Sequence, residues 1–150
     1  MKQIAYILFV ICLSTALFSC GEYQCSKADL RFGLIGFSDA EADTIILRRF
    51  DRMNNTLRDT FLLENIRFNR KSDTLIMGAF PGTALMQSDY NYQVYLPASA
   101  TLIKVTEINE EQRSIRRPFT DKIGCVNFIR SCKLNDQSTP VNDNDVYLKK

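Results

Sequence analysis

The sequence predicts a mostly β domain, an antiparallel β-sandwich of about seven strands, with an open α+β sheet as the alternative. Three observations predict it. Apolar residues recur with period two in short stretches punctuated by Gly, Pro, Asn and Asp. Beyond the N-terminal run, no segment sustains a 3.6-residue apolar stripe for more than about two turns. Asp-Thr pairs at positions 43–44, 59–60 and 73–74 each precede three apolar residues, and Asp suits the end of a turn as Thr suits the start of a strand.

The elements follow in chain order. In 29–37 (DLRFGLIGF), Leu30, Phe32 and Leu34 share one face and Ile35 and Phe37 the other, while Gly33 and Gly36 mark a bulge or a close backbone approach. Residues 38–43 (SDAEAD) read as a polar turn, or as one helical turn capped by Ser38 with Glu41 completing a capping box. Strands follow at 44–50 and 56–63 across a turn at 51–55, then a short apolar island at 66–68. Residues 78–88 form a loop around Pro81-Gly82. In 90–96 (YNYQVYL), Tyr90, Tyr92, Val94 and Leu96 share a face before Pro97 stops the strand. The clearest strand is 101–109 (TLIKVTEIN), followed by an exposed turn at 109–114. One or two strands surround the late cysteines at 123–134, then come a polar loop at 137–145 and a final edge strand at 146–148. An immunoglobulin-like arrangement is the first expectation for such a sandwich, although the chain has no Trp to make the antibody-type core.

The N-terminus carries a different signal. Met1-Lys2-Gln3 is short and basic, and residues 4–18 hold no charge, a run shorter than the roughly 20 residues a spanning helix needs. It ends at Leu17-Phe18-Ser19-Cys20-Gly21. This resembles a bacterial lipoprotein signal with its lipobox. Leu17, Ser19 and Cys20 match the pattern's −3, −1 and +1 positions, and Phe18 at −2 is bulkier than its usual residue. The resemblance implies that residues 1–19 are cleaved and that Cys20 is lipidated on its thiol and new amine. Residues 20–27 would then be a tether and 28–150 a single β-rich domain. Two or more acyl chains anchor stably where one is marginal. Gly21 lacks the Asp associated with inner-membrane retention, which favours the outer membrane, on either face. Together with the Asp-Thr strand starts, the signal and size resemble the small lipoproteins of Bacteroidota. Asp43-Thr44-Ile45 and Asp73-Thr74-Leu75 also resemble the O-glycosylation acceptor of that group, which makes Thr44 and Thr74 minority candidates.

Of five cysteines, Cys12 leaves with the signal and Cys20 takes lipid. Cys25, Cys125 and Cys132 remain, so at most one bridge forms within the chain. Pairing of Cys25 with one of the two late cysteines is preferred, because Cys125 and Cys132 point to opposite faces of one regular strand. Three buried free thiols are the alternative.

Composition narrows the chemistry. The chain has no His, which excludes Ser-His-Asp and Cys-His catalysis and His-ligated metals. Loss of Lys2 from a net charge of +2 leaves +1, a balance that argues against nucleic acid. No phosphate-loop, dinucleotide or nucleophile-elbow motif occurs. Asn142-Asp143-Asn144-Asp145 offers hard oxygen ligands but lacks the Gly and terminal Glu of a calcium loop, so a solvated turn is the better reading. Asp39, Glu41 and Asp43 could supply a carboxylate pair for glycoside hydrolysis, though surface solvation is simpler. Basic clusters at Arg48, Arg49, Arg52, Arg58, Arg67, Arg70 and Lys71, and at Arg113, Arg116 and Arg117, could meet a phosphate- or carboxylate-bearing glycan, though strands that alternate polar-out expose such residues without any ligand, which is the better reading. Tyr90, Tyr92 and Tyr95 could stack sugars, or pack in a core. The expectation is a lipid-anchored, non-catalytic envelope domain that binds or scaffolds an envelope protein or glycan and needs no cofactor. The alternatives are a carbohydrate-binding accessory lipoprotein and a carboxylate-based hydrolase.

Overall fold

Alternating burial builds the sheets. In β2 (Thr44–Asp51), Ile45 and Leu47 are fully buried between half-exposed neighbours. In β6 (Tyr90–Leu96), Tyr92, Val94 and Leu96 are buried and Asn91, Gln93 and Tyr95 turn away. A computed structural model describes residues 25–64, 66, 68–77, 85–116 and 123–150. The described strands also include β1 (Arg31–Ile35), β3 (Leu57–Glu64), β4 (Phe68–Lys71), β5 (Thr74–Met77), β7 (Thr101–Arg116), β8 (Ile123–Leu134), β9 (Gln137–Pro140) and β10 (Asp145–Lys149).

The strands form two sheets. The larger runs β3-β2-β6-β7-β8-β9, antiparallel throughout. The smaller runs β10-β1-β5-β4, with β1 and β10 parallel. One sheet curls into a half-barrel, and the fold is sandwich-like, as the alternation predicts. A single core lies between the sheets. Phe32, Leu34, Leu75, Val146 and Leu148 from the smaller sheet join Ile45, Leu47, Val94, Ile103 and Val105 from the larger. At about 1.5–3 kcal/mol for each fully buried large apolar side chain, this cluster is the main favourable term in folding.

Connectivity departs from the first expectation. An immunoglobulin sandwich divides about seven strands into sheets of four and three; here ten described strands divide into four and six. Two of the additional stretches are polar. β9 lies at a sheet edge with only Thr139 half-buried, so it has no apolar alternation to read. It forms because Asn135 and Asp136 both take left-handed backbone (φ 46° and 67°), closing a two-residue hairpin from Leu134 to Gln137. Residues 109–114, expected as a turn, continue β7 in register with β8 from Asn109–Ser131 to Arg116–Ile123. A bulge between Thr106 and Glu110, with Glu107 at φ 47°, makes room for this extension.

The short helix α1 (Asp39–Ala42) is the capped alternative. Ser38 Oγ accepts from the Glu41 amide, and the Glu41 carboxylate accepts from the Ser38 amide at 2.9 Å. Gly33 answers a close approach, since a Cβ there would stand 2.9 Å from the Tyr147 ring and 3.2 Å from the Leu75 carbonyl. Thr44 and Thr74 do begin strands, whereas Asp59-Thr60 falls inside β3. Asp59 there faces Arg49 instead of ending a turn. No helix among the described residues is long and apolar enough to cross a membrane.

Candidate functional site

The N-terminal segment is tied to the sandwich as soon as it is described. Cys25 is disulfide-bonded to Cys125 on β8, with Cα atoms 5.2 Å apart, and Ser26 bridges Val126 in parallel. The expected tether therefore ends by residue 25. Cys20 and the expected signal lie outside the described residues. Cys132, the other late cysteine, is a buried thiol whose pKa burial pushes up to about 11. Such a thiol packs as a small apolar group and is a poor nucleophile.

Polar side chains gather beside this staple. Lys27 pairs with Asp89. Next to Asp89, Ser88 Oγ donates to Glu110 at 2.7 Å, and Glu110 also accepts from Asn127 at 3.2 Å. The Ser88 carbonyl accepts from Arg52 at 3.0 Å, which joins the β2–β3 turn to the same end of the sandwich. Arg49 lies on the inner face and pairs with Asp59. Its guanidinium stands over Tyr90 at 4.5 Å and Phe61 at 5.4 Å. The cluster leaves Arg49 half-buried, and each cation–π contact contributes roughly 0.5–1 kcal/mol.

A concavity opens along β8. A cleft of about 680 Å³ is lined by Arg113, Phe128, Ile129, Val141 and the 142–144 turn. Arg113 lies 4.0 Å above the Phe128 ring. The turn holds Asp143 and Asn144 at φ 52° and 61°, and Asn144 Oδ1 accepts from the Ile129 amide at 2.7 Å. Arg113 also stands 3.7 Å from the Glu111 carboxylate, and the turn's Asn142 and Asp145 amides bond each other's carbonyls, so the cleft offers a partly matched cation beside an aromatic face. A smaller hollow of about 340 Å³ lies at Ile103, Leu134, Gln137, Thr139, Tyr147 and Lys149.

Sequence candidates fall unevenly on this geometry. Asn142–Asp145 is a hairpin turn in which several oxygens already have partners. The Asp143 carbonyl accepts from Arg31, and Asp145 pairs with Arg31 at 2.7 Å. No metal-ligating group of three or more occurs among the described residues. The three acids do not form a facing pair. Asp39 binds Arg70 at 2.7 Å, and Glu41 binds Lys150 at 2.6 Å. Contact with Lys150 first, and the Ser38 cap second, holds the Glu41 carboxyl down at about 2, too low for a general acid near neutrality.

The tyrosines are divided rather than aligned as a platform. Tyr92 is 2% exposed, its hydroxyl accepting from the Gln87 amide at 2.9 Å. Burial pushes its pKa up against that hydrogen bond. Tyr90 packs edge-on to Tyr92, and Tyr95 lies on the outer face. Thr44 and Thr74 are half-buried first residues of β2 and β5. Of the basic clusters, Arg113 reaches the cleft; Arg67, Arg117 and the Arg116 side chain lie outside the described residues. Phe128 carried no signal in sequence, because its partnership with Arg113 depends on β7–β8 register across a hairpin. No family model, curated protein or solved structure matches the chain.

Proposed function

We propose that the chain is a lipid-anchored protein of the bacterial cell envelope whose β-domain binds or scaffolds rather than catalyses. The observation that carries this reading is Leu17-Phe18-Ser19-Cys20 at the end of an uncharged run. The Cys25–Cys125 bridge supports it, because disulfides persist in oxidising, exported compartments. Under this reading the outer membrane holds the acyl chains and the sandwich presents the β8 cleft. Globomycin should leave an uncleaved precursor, and Cys20→Ala should move the protein from the detergent to the aqueous phase. A precursor insensitive to globomycin, with unchanged partitioning of Cys20→Ala, refutes the anchor.

A carbohydrate-binding accessory role is the second reading, favoured by Arg113 stacked on Phe128 beside the Asn142–Asn144 turn. That pattern suits an acidic sugar. Arg113→Ala should abolish retention on an acidic glycan array, whereas Tyr92→Ala would test core packing instead.

A further inference from the structure

We propose that the end of the domain bearing the β2–β3 turn docks on the bilayer surface, with Met53 entering the headgroup region beside Arg52. The proposal rests on the lipid-anchor reading and adds an orientation to it.

Chain length supplies the first argument. The disulfide and the Ser26–Val126 bridge hold residues 25 and 26 on β8. Cys20 is five positions upstream. Even fully extended, five residues span about 17 Å, so lipid on Cys20 keeps this part of β8 close to the membrane.

Contacts supply the second. Lys27 pairs with Asp89, and the adjoining Ser88 carbonyl accepts from Arg52. Arg52 also reaches the Ile108 carbonyl at 3.5 Å. The β2–β3 turn is therefore fastened to the tethered end. In the β2–β6 register, Asp51 faces Tyr90 at this end, while Ile46 faces Tyr95 towards the other. The β6–β7 turn, with its 3-10 turn Pro97–Ser99, stands at the far end, some 20 Å or more away along the strands.

Side-chain chemistry supplies the third. Met53 is 97% exposed, the most exposed large apolar side chain among the described residues. Met is flexible and polarisable, and its thioether tolerates the disordered boundary between headgroups and chains. Arg49, Arg58 and Lys27 are matched by Asp59, Asp51 and Asp89. Arg52 donates to carbonyl oxygens and has no carboxylate partner among the described residues. One unmatched cation beside one apolar tip favours shallow insertion, with weak dependence on salt. The short tether keeps the turn at high effective concentration over the surface, so a contact too weak for a free domain becomes populated.

The test uses the full lipidated chain in vesicles. An environment-sensitive fluorophore is placed on Met53→Cys or, at the exposed far end, on Ala98→Cys. Brominated phosphatidylcholine serves as the quencher. Docking gives a blue shift and quenching at position 53 and neither at 98. Equal responses at both positions, or none at 53 on vesicles with which the chain co-floats, overturn the docking and leave the anchor intact. A chain that fails to float and whose intact mass lacks acyl groups overturns the anchor reading and the docking with it.

Discussion

Replacing both Cys25 and Cys125 with Ser removes a covalent link between residues 100 positions apart. In the chain-entropy model a loop of that size restricts the unfolded ensemble by about 4.7 kcal/mol at 25 °C, and measured losses usually fall near 2–5 kcal/mol. The native side of the balance changes little. The bridge joins the N-terminal segment to β8 at an edge already marked by the Ser26–Val126 pairing, and the core cluster does not include either cysteine. The effect should therefore arise in the unfolded chain, which becomes freer and exposes more surface, so the urea slope should rise as stability falls. For a loss of about 2–5 kcal/mol and a slope near 2 kcal/mol/M, the middle of the usual range of roughly 1–3, the midpoint should drop by about 1–2.5 M. Urea unfolding followed by tyrosine fluorescence, with and without dithiothreitol, measures it. Reductant should bring the native protein to the midpoint of the double variant and leave that variant unmoved. A native midpoint indifferent to reductant refutes the argument. Cys132, buried and outside the bridge, stays as an internal control.

Other expectations follow from local geometry. Gly33→Ala drives a methyl into the Tyr147 ring and the Leu75 carbonyl, and should cost about 1–3 kcal/mol by the same denaturation assay; an unchanged midpoint means the ring moves aside freely. Ala100 closes the β6–β7 turn at φ 53°, a left-handed conformation, so Ala100→Gly should raise stability by up to about 1 kcal/mol. A fall in midpoint would show that the methyl's contacts outweigh its strain. Glu41 titrates near 2 in the folded chain rather than near 4.5, so its ionised form favours folding. That contribution is complete above about pH 4.5 and disappears as pH falls through about 2. Thermal melts should show a shallower acid loss for Glu41→Gln than for the native chain over this window, and parallel curves would argue against it.

Local structure is legible in the sequence where a single strand's alternation suffices. Ile45 and Leu47, and Tyr92, Val94 and Leu96, announce inward faces because each alternates with half-exposed neighbours, whereas in β1 Phe32, Gly33 and Leu34 are all buried and Phe37, expected on the other face, joins the core. Ser38 and Glu41 announce their cap because both partners lie within four residues. β9 and the extension of β7 escaped because they are polar strands formed by their partners' ladders rather than by apolar burial. The cleft escaped more completely. Its Arg113–Phe128 contact needs the hairpin register, and its 142–144 wall needs Asn144 to cap the Ile129 amide.

By itself the sequence determined the strand-rich class, the lack of histidine and the uncharged N-terminal run that ends at Leu17-Phe18-Ser19-Cys20, all written in composition or in neighbours along the chain. It also limited the described domain to one internal bridge without naming the pair. Only the tertiary structure decided that Cys125, not Cys132, meets Cys25, and that Tyr92 is core while Met53 is surface. Those outcomes depend on which strands become neighbours and which end they share. Pairing is a long-range choice made by burying one common core, and no short window of sequence contains it.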